Sequence, residues 1–283
     1  MTKRVYNFSA GPSTLPVSVL ENIASQMLNY HDSGMSVMEM SHRSSSYLEI
    51  FNETKAMLKK VMNIPDNYQI LFIQGGATQQ FSTIPLNLMK NGKADYIVTG
   101  SFSKKAAQEA QKFGDVHIAY DGSDQDFKHI PTQDELNIRE DASYVHLCSN
   151  NTIYGTEWKY VPDTHGIPIV ADMSSNILSK PINVSDYGMI YAGAQKNMGI
   201  AGLGVVIVRE DLIQEHQEKI PVLMEYDTLS KNDSMYNTPP TFSIYVLGEV
   251  LKWIDSLGGL EVMQKRNEEK AKLLYDYLDQ SDF

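Results

Sequence analysis

The chain has 283 residues, of which 42% are apolar, and a formal net charge of −11 from 35 acidic and 24 basic side chains. This length and composition can form a sizeable core, either as one large domain or as one with a smaller appendage. The acidic balance argues against a nucleic-acid partner, because such proteins present excess positive charge to the phosphate backbone.

Short apolar runs alternate with longer amphipathic stretches along the chain. After an irregular lead over residues 1–16, strands are predicted at 68–74, 94–100, 143–149, 167–173, 187–193 and 204–210. Residues 242–280 read as nearly continuous helix with a break at 256–259. Strands that alternate with helices predict an α/β fold with a mainly parallel sheet covered by helices on both faces.

The sequence also bears on compartment and metal binding. The N-terminus lacks the apolar region of a signal peptide, and no apolar run reaches the length of about 18 residues that a membrane span needs. The single cysteine, Cys148, excludes an internal disulfide and a thiolate metal cluster, and its neighbours indicate a structural position in a buried strand. We therefore expect a cytoplasmic protein with no membrane contact and no metal site.

Ligands of open parallel sheets bind beyond the carboxyl ends of the strands. The segment QGGATQQF (74–81) follows the first predicted strand and opens a helix. Its two glycines permit a tight turn, and the exposed N–H groups together with the Thr78 hydroxyl can hold a phosphate. A plain strand-to-helix turn is the alternative, and the segment matches neither a Walker loop nor a dinucleotide fingerprint.

Two ionisable residues follow later strands. Asp172 ends the buried run IPIVADM, where a carboxylate needs a cation or hydrogen bonds, although helix capping by Asp172 or Ser174 explains it equally well. Lys196 comes 24 residues later among small residues and amides, which places it at an adjacent strand end. Desolvation there can lower the pKa of a lysine and make it a Schiff-base nucleophile, but a lone loop lysine is more often a solvated charge.

Taken together, these segments are the parts of a pyridoxal phosphate site. The lysine binds the aldehyde of the cofactor, the acid lies opposite its pyridine nitrogen, and the helix N-terminus holds its phosphate. Lys196 is then placed to carry the substrate α-proton as general acid and base. A further pair, His42 and Arg43, lies in the irregular patch EMSHRSSSY (39–47) and offers donors for a carboxylate or phosphate, or is ordinary surface.

Eight motifs spread over essentially the whole chain closely resemble the phosphoserine aminotransferase family of fold-type I enzymes, which depend on pyridoxal phosphate. These motifs are NFSAGPSTLP, EMSHRS, QGGATQQF, GSFSKKAAQEA, SNNTIYGTEW, VADMSSNILS, YAGAQKNMGIAG and MYNTPPTF. The resemblance implies a reversible exchange in serine biosynthesis, in which phosphoserine and 2-oxoglutarate give 3-phosphohydroxypyruvate and glutamate. It also implies a homodimer with shared active sites.

The resemblance also implies individual roles. Lys196 and Asp172 are the catalytic pair, and His42 and Arg43 are the substrate anchors. The remaining cofactor contacts are Gln195 beside the lysine, Thr152 at the ring's phenolic oxygen, Ala77 and Thr78 at the phosphate, Asn237 and Thr238 reaching that phosphate from the neighbouring subunit, and Phe102 on the ring face. Family members usually have tryptophan at the last position, so weaker stacking is expected.

Family members also continue for several tens of residues, through most of a small C-terminal domain with an arginine that binds the substrate carboxylate. We therefore expect a large cofactor-binding domain over 17–258, with residues 1–16 and 259–283 as the lead and the remnant of an incomplete small α/β domain. Two alternatives to an active aminotransferase remain at this stage. One is a truncated cofactor-binding homologue with little or no turnover, and the other is a related fold-type I lyase.

Overall fold

The computed structural model describes residues 4–213 and 219–282. Within them lie seven α-helices: α1 (Val17–Ser25), α2 (Ser45–Val61), α3 (Ala77–Leu88), α4 (Ser101–Ala110), α5 (Tyr226–Lys231), α6 (Thr241–Ser256) and α7 (Leu260–Asp279). The same residues form seven strands: β1 (Tyr68–Gln74), β2 (Lys93–Val98), β3 (Asp115–Asp121), β4 (Val145–Cys148), β5 (Ile169–Asp172), β6 (Met189–Gly193) and β7 (Leu203–Arg209).

The seven strands form one sheet in the order β1-β7-β6-β5-β4-β2-β3. Strand β7 is antiparallel to both of its neighbours, and the other pairs are parallel. The predicted mainly parallel sheet is therefore confirmed. The sequence analysis missed β3, an edge strand whose residues are mostly half-exposed and which begins and ends with aspartate. Its apolar signal is weak because an edge strand buries less of its surface.

Helices cover both faces of the sheet, as predicted. Residues that alternate along each central strand point into two separate apolar cores. Helices α1, α2 and α6 contribute to the first core, and α3, α4 and α5 contribute to the second. Helices α2 and α6 of the first core are closely packed, since an added Cβ at Gly248 of α6 would lie 2.4 Å from Thr54 Oγ1 of α2.

The strand directions bring five chain segments to one edge of the sheet. Because β7 is antiparallel to both β1 and β6, strands β1 to β6 all run the same way. The residues that follow β1, β2, β4, β5 and β6 therefore emerge together at the carboxyl edge. The segment 74–81 follows β1 at this edge, Asp172 ends β5 there, and Lys196 follows β6.

The predicted break in the long C-terminal helix is confirmed. Gly258 and Gly259 have φ values of 106° and 84°, a backbone region that favours glycine, and they separate α6 from α7. Helix α6 is largely buried, whereas α7 buries only Leu260 and Met263 among its described side chains. The division into domains at this point stays a prediction. None of the helices in the described residues is long and apolar enough to cross a membrane.

Candidate active site

Lys196 lies in the loop that follows β6, at the carboxyl edge of the sheet. Its Nζ donates a 2.5 Å hydrogen bond to Thr152 Oγ1 and lies 4.8 Å from the centroid of the Phe102 ring. Burial lowers the pKa of Lys196, and the negative charge of Asp172 partly opposes that shift. The amine is thus easier to deprotonate than a solvated lysine.

The backbone beside Lys196 is held by the N-terminal lead. Ser13 N donates to Gln195 O at 3.0 Å, and the Ser13 hydroxyl donates to the carbonyl of Lys196. A Cβ added at Gly11 would lie 2.8 Å from Lys196 Cγ, so a larger residue there would displace the lysine. The part of the lead that contains Gly11 and Ser13 therefore packs directly against the loop that carries Lys196.

Asp172 ends β5, on the strand next to the one that leads to Lys196. It is 7% exposed, and its Oδ1 accepts hydrogen bonds from Ser174 N at 2.9 Å and from Ser174 Oγ at 2.6 Å. Gly193 N in turn donates to Ser174 Oγ at 3.1 Å. Burial raises the pKa of Asp172 above its usual value, although the bonds from Ser174 and the charge of Lys196 oppose part of this rise. Asp172 is thus a fixed, desolvated carboxylate close to a cation.

The turn between β1 and α3 has the form of an anion site. Gly75 has a φ of 100°, Gly76 precedes the first residue of the helix, and no heavy atom lies within 4 Å of a Cβ added at Gly76. Ala77 and Thr78 begin the 12-residue helix α3, where the first N–H groups have no helical partner. The space and the donors for a phosphate are present.

Phe102 is in the first turn of α4, which begins directly after Gly100. The Ser103 hydroxyl accepts from Thr99 N at 3.0 Å and from Gly100 N at 3.1 Å, and so fixes the start of the helix. A Cβ added at Gly100 would lie 2.6 Å from Asn151 Oδ1, so the turn packs tightly against the segment that carries Thr152.

The segment that carries Thr152 is secured by Glu157. The carboxylate of Glu157 contacts Lys159 Nζ at 2.6 Å, Lys180 Nζ at 2.9 Å and Asn176 Nδ2 at 3.1 Å. Burial raises the pKa of Glu157, but these three partners outweigh burial and lower it from 4.5 to about 2. The backbone of Glu157 also pairs with that of Asn150 in an isolated β-bridge, which closes the loop that contains Thr152.

We expect Glu157 to make stability depend on pH. A carboxyl group with a lowered folded-state pKa stabilises the protein above its unfolded pKa, here 4.5, and this contribution is lost as the pH falls toward the folded value of about 2. The Glu157→Gln variant should lose on the order of 2 kcal/mol at pH 7, a figure reduced for partial solvent screening. Its stability should also vary less than that of the wild type between these two pH values.

The test is denaturant unfolding at several pH values, with the exposed Glu140→Gln as the matched control. Parallel pH profiles for the wild type and Glu157→Gln would contradict the assigned contacts. A change of the same size in the Glu140→Gln variant would show that the effect is a general one of net charge.

Comparison with known proteins identifies the family. Residues 5–283 match the family described as aminotransferase class-V. A phosphoserine aminotransferase of Lysinibacillus sphaericus (strain C3-41) is 52% identical over 283 residues, which cover 100% of this chain and 78% of the relative. The chain belongs to the class-V aminotransferase family. It is a transferase that depends on pyridoxal phosphate.

Solved structures of class-V aminotransferases agree with the fold. A phosphoserine aminotransferase from Bacillus circulans subsp. alkalophilus has a TM-score of 0.96 and 48% identity, over 98% of this chain and 77% of that one. A phosphoserine aminotransferase from Trichomonas vaginalis, solved with pyridoxal phosphate bound, has a TM-score of 0.94 and 41% identity. The match covers 98% of this chain and 78% of that one. The predicted fold-type I architecture and cofactor are confirmed.

The residues of this class-V aminotransferase fit the cofactor chemically. The site combines a partly desolvated amine, a buried carboxylate held by Ser174, an aromatic face at Phe102 and an open helix N-terminus. These groups match an aldehyde, a pyridine nitrogen, a planar ring and a phosphate, respectively. Each part of the cofactor thus has a suitable group at the carboxyl edge of the sheet.

Some of the predicted site residues are in contact with one another, and others are not. Lys196 bonds Thr152 and lies over the ring of Phe102, and Asp172 is close enough to influence the pKa of Lys196. Thr238 is tied to the end of β1, because its carbonyl accepts a hydrogen bond from the Gln74 side chain.

The predicted substrate anchors lie apart from these contacts. No contact recorded for the described residues joins His42 or Arg43 to the lysine. His42 Nε2 is buried with no hydrogen-bond partner among the described residues, and the Arg43 side chain is exposed. Their roles stay predictions.

Sequence reasoning missed several residues that build the site. Ser174 was considered only as a helix cap, but its hydroxyl and N–H both bond the carboxylate of Asp172. The motif containing Gly11 and Ser13 carried the resemblance, yet its contact with the Lys196 loop needs the tertiary structure. A serine two residues after a buried acid is a local signal that could have identified Ser174.

Proposed function

We propose that the chain is a phosphoserine aminotransferase that reversibly converts phosphoserine and 2-oxoglutarate into 3-phosphohydroxypyruvate and glutamate. The observation that carries the chemistry is the partly desolvated Lys196 amine, bonded to Thr152 beside the Phe102 ring and near the buried Asp172. The choice of substrate is supported by relatives of that name at 52% and 50% identity over the whole chain.

Each residue of the site has its own role in the proposed reaction. Pyridoxal phosphate, when bound, supplies an electron-withdrawing ring that accepts the electron pair left by the substrate α-proton. Lys196 binds the cofactor aldehyde and, once released by the substrate, its Nζ moves the α-proton. Asp172 holds the proton on the ring nitrogen, and Thr152 fixes the lysine until exchange begins. Phe102, Gln195, Ala77 and Thr78 position the ring and the phosphate.

The homodimer and its shared sites belong to this proposal. Several large apolar side chains of the N-terminal lead are exposed, including Val5, Tyr6 and Phe8 at 87% to 91%. Exposed apolar clusters favour association. Light scattering should give about twice the chain mass of 31.8 kDa. In that dimer Asn237 and Thr238 contribute to the partner's phosphate site, so a monomer that binds cofactor with full affinity would contradict the shared site.

The function is tested by comparing phosphorylated and unphosphorylated substrates. We expect kcat/KM for 3-phosphohydroxypyruvate with glutamate to exceed that for hydroxypyruvate by at least about a hundredfold, because charged recognition groups are left unpaired by the smaller substrate. Equal values would contradict phosphoserine specificity while leaving aminotransferase activity intact. A persulfide-forming lyase is disfavoured, because Cys148 is 3% exposed and burial raises the pKa of its thiol.

Arg43 is the proposed anchor of the substrate phosphate or distal carboxylate. The Arg43→Ala variant should raise KM for the phosphorylated substrate about tenfold to a hundredfold with a smaller change in kcat, because it removes a charge-assisted contact. Arg266→Ala is the matched control, since that guanidinium lies 5.8 Å from the Trp253 ring centroid on the α6–α7 pair. Identical steady-state constants for wild type and Arg43→Ala would show that Arg43 is an ordinary surface residue with no role in substrate binding.

A further inference from the structure

Tyr191 and His146 lie on the two strands that flank Asp172. Tyr191 of β6 is paired in register with Asp172 of β5, and His146 belongs to β4 on the other side of β5. The two side chains meet across β5, where the Tyr191 hydroxyl lies 2.8 Å from His146 Nε2. Tyr191 is 0% and His146 is 1% exposed. A buried hydrogen-bonded pair thus spans the strand that presents Asp172.

The direction of this hydrogen bond follows from the surroundings of His146. Burial lowers the pKa of His146 from 6.5 to about 3, so the ring is neutral and carries one N–H. Its Nδ1 has no hydrogen-bond partner among the described residues. A buried N–H without an acceptor is rarer than a buried lone pair without a donor. We therefore assign the proton to Nε2, which donates to the Tyr191 oxygen.

The phenolic hydrogen of Tyr191 is then available to Asp172. Asp172 and Tyr191 are register partners on adjacent strands, so their side chains lie on the same face of the sheet. Burial raises the pKa of Asp172, and Tyr191 is among the groups that oppose this rise. Burial, followed by the charge of Asp172, raises the pKa of Tyr191 well above 10, so the phenol stays a donor. The other ionisable groups that act on Asp172 or Tyr191 are Lys196, Cys148, Tyr96 and Tyr226.

We propose that His146 and Tyr191 form a directed chain of hydrogen bonds that positions the Asp172 carboxylate and keeps it ionised toward the ring nitrogen of the cofactor. Each donor in such a chain polarises the next, and second-layer partners of this kind commonly tune a functional group. No proton is transferred along this series of hydrogen bonds. The inference rests on the role proposed for Asp172 above, and Tyr191 and His146 act through that residue.

The ring of His146 is held in place by a layer of tyrosines. Tyr96 stacks on His146 with ring centroids 4.7 Å apart and an interplanar angle of 22°. Tyr96 is held in turn by a 2.7 Å hydrogen bond between its hydroxyl and that of Tyr144. The imidazole therefore has one orientation, which aims Nε2 at Tyr191. Tyr245 of α6 provides a control outside this layer, because it lies in the first core, is 3% exposed and has a hydroxyl with no hydrogen-bond partner among the described residues.

The first test measures protonation of the cofactor nitrogen directly. The holoenzyme is prepared with pyridoxal phosphate carrying ¹⁵N in its ring, and the ¹⁵N chemical shift is compared in wild type, Tyr191→Phe and Tyr245→Phe. In Tyr191→Phe we expect unchanged cofactor stoichiometry, a shift toward the unprotonated nitrogen, and a roughly tenfold slower half-reaction with phosphoserine, as for one lost hydrogen bond to a charged group. Tyr245→Phe should match the wild type in shift and rate.

A second pair of variants keeps the inference testable should Tyr191→Phe not fold. His146→Phe preserves a ring against Tyr96 but removes the donor, whereas His146→Gln supplies an N–H near the position of Nε2. We expect His146→Phe to shift the nitrogen signal and slow the half-reaction, and His146→Gln to restore both. Equal loss in both variants would overturn the directed chain.

The possible results separate this inference from the proposed function. A protonated ring nitrogen in the wild type, with no change in Tyr191→Phe, would overturn only the hydrogen-bond chain. An unprotonated nitrogen in the wild type would overturn the role of Asp172 and the inference with it. A Tyr245→Phe variant as impaired as Tyr191→Phe would show that the effect is one of general packing, and would also overturn the inference.

Discussion

Lys196→Ala is expected to abolish the covalent attachment of pyridoxal phosphate and to reduce transamination by at least about three orders of magnitude. The structure gives the reason, because Lys196 Nζ is the amine bonded to Thr152 and placed over Phe102. Loss of this amine removes both the group that binds the aldehyde and the group that moves the α-proton. Borohydride reduction followed by mass spectrometry of the peptides measures the attachment.

A matched control is available at Lys60, an exposed lysine whose Nζ lies 2.8 Å from Asp255 Oδ1. Lys60→Ala should retain the reduced cofactor on the peptide that contains Lys196, together with full activity. Cofactor that remains fixed to the chain after reduction of Lys196→Ala would show that another lysine forms the linkage. Normal turnover in that variant would contradict the proposed mechanism even without a new linkage.

Asp172→Asn is the change with the next largest expected effect. The amide should preserve the bonds from Ser174 in outline but carry no charge, so the ring nitrogen loses its protonated state. We expect cofactor to remain bound and the half-reaction with phosphoserine to slow by about a hundredfold to a thousandfold, as for loss of one preorganised electrostatic contact. Rapid-mixing absorbance measurements of a single half-reaction report this rate without product release.

Asp186→Asn provides the control for Asp172→Asn. Asp186 is exposed and pairs with Asn183 at 2.7 Å, on the connection between β5 and β6. The control tests whether removing a carboxylate from this connection slows the reaction in general. An unchanged half-reaction in Asp172→Asn would reject the proposed contact with the ring nitrogen, whereas equal slowing in both variants would reject its specificity.

Sequence reasoning succeeded where one residue type has a strong local meaning. The predicted strand 68–74 coincides with β1, and the predicted break at 256–259 separates α6 from α7. Lys196 and Asp172 were singled out because they follow buried strands and, together with the turn at 74–81, form the parts of a cofactor site, and their roles stay predictions. Thr152 and Phe102 came from the family resemblance, and the structure places both in contact with the lysine.

What the sequence could not predict depends on contacts between distant segments. Ser13 bonds the backbone at Lys196 across 183 positions, and Glu249 of α6 holds Asn22 of α1 across 227. His146 lies in the run VHLC, where a histidine has the same pattern whether it faces a core or a carboxylate. Its relation to Tyr191 appears only when β4, β5 and β6 are placed side by side.

The central claim is that this chain binds pyridoxal phosphate at Lys196 and uses it on phosphoserine. The most direct measurement is the visible absorption spectrum of the purified chain loaded with cofactor, before and after addition of phosphoserine without an acceptor. We predict the absorption band of the lysine-bound cofactor, and its conversion to that of the aminated cofactor when phosphoserine is added. A lysine-bound band that phosphoserine leaves unchanged would contradict the proposed function.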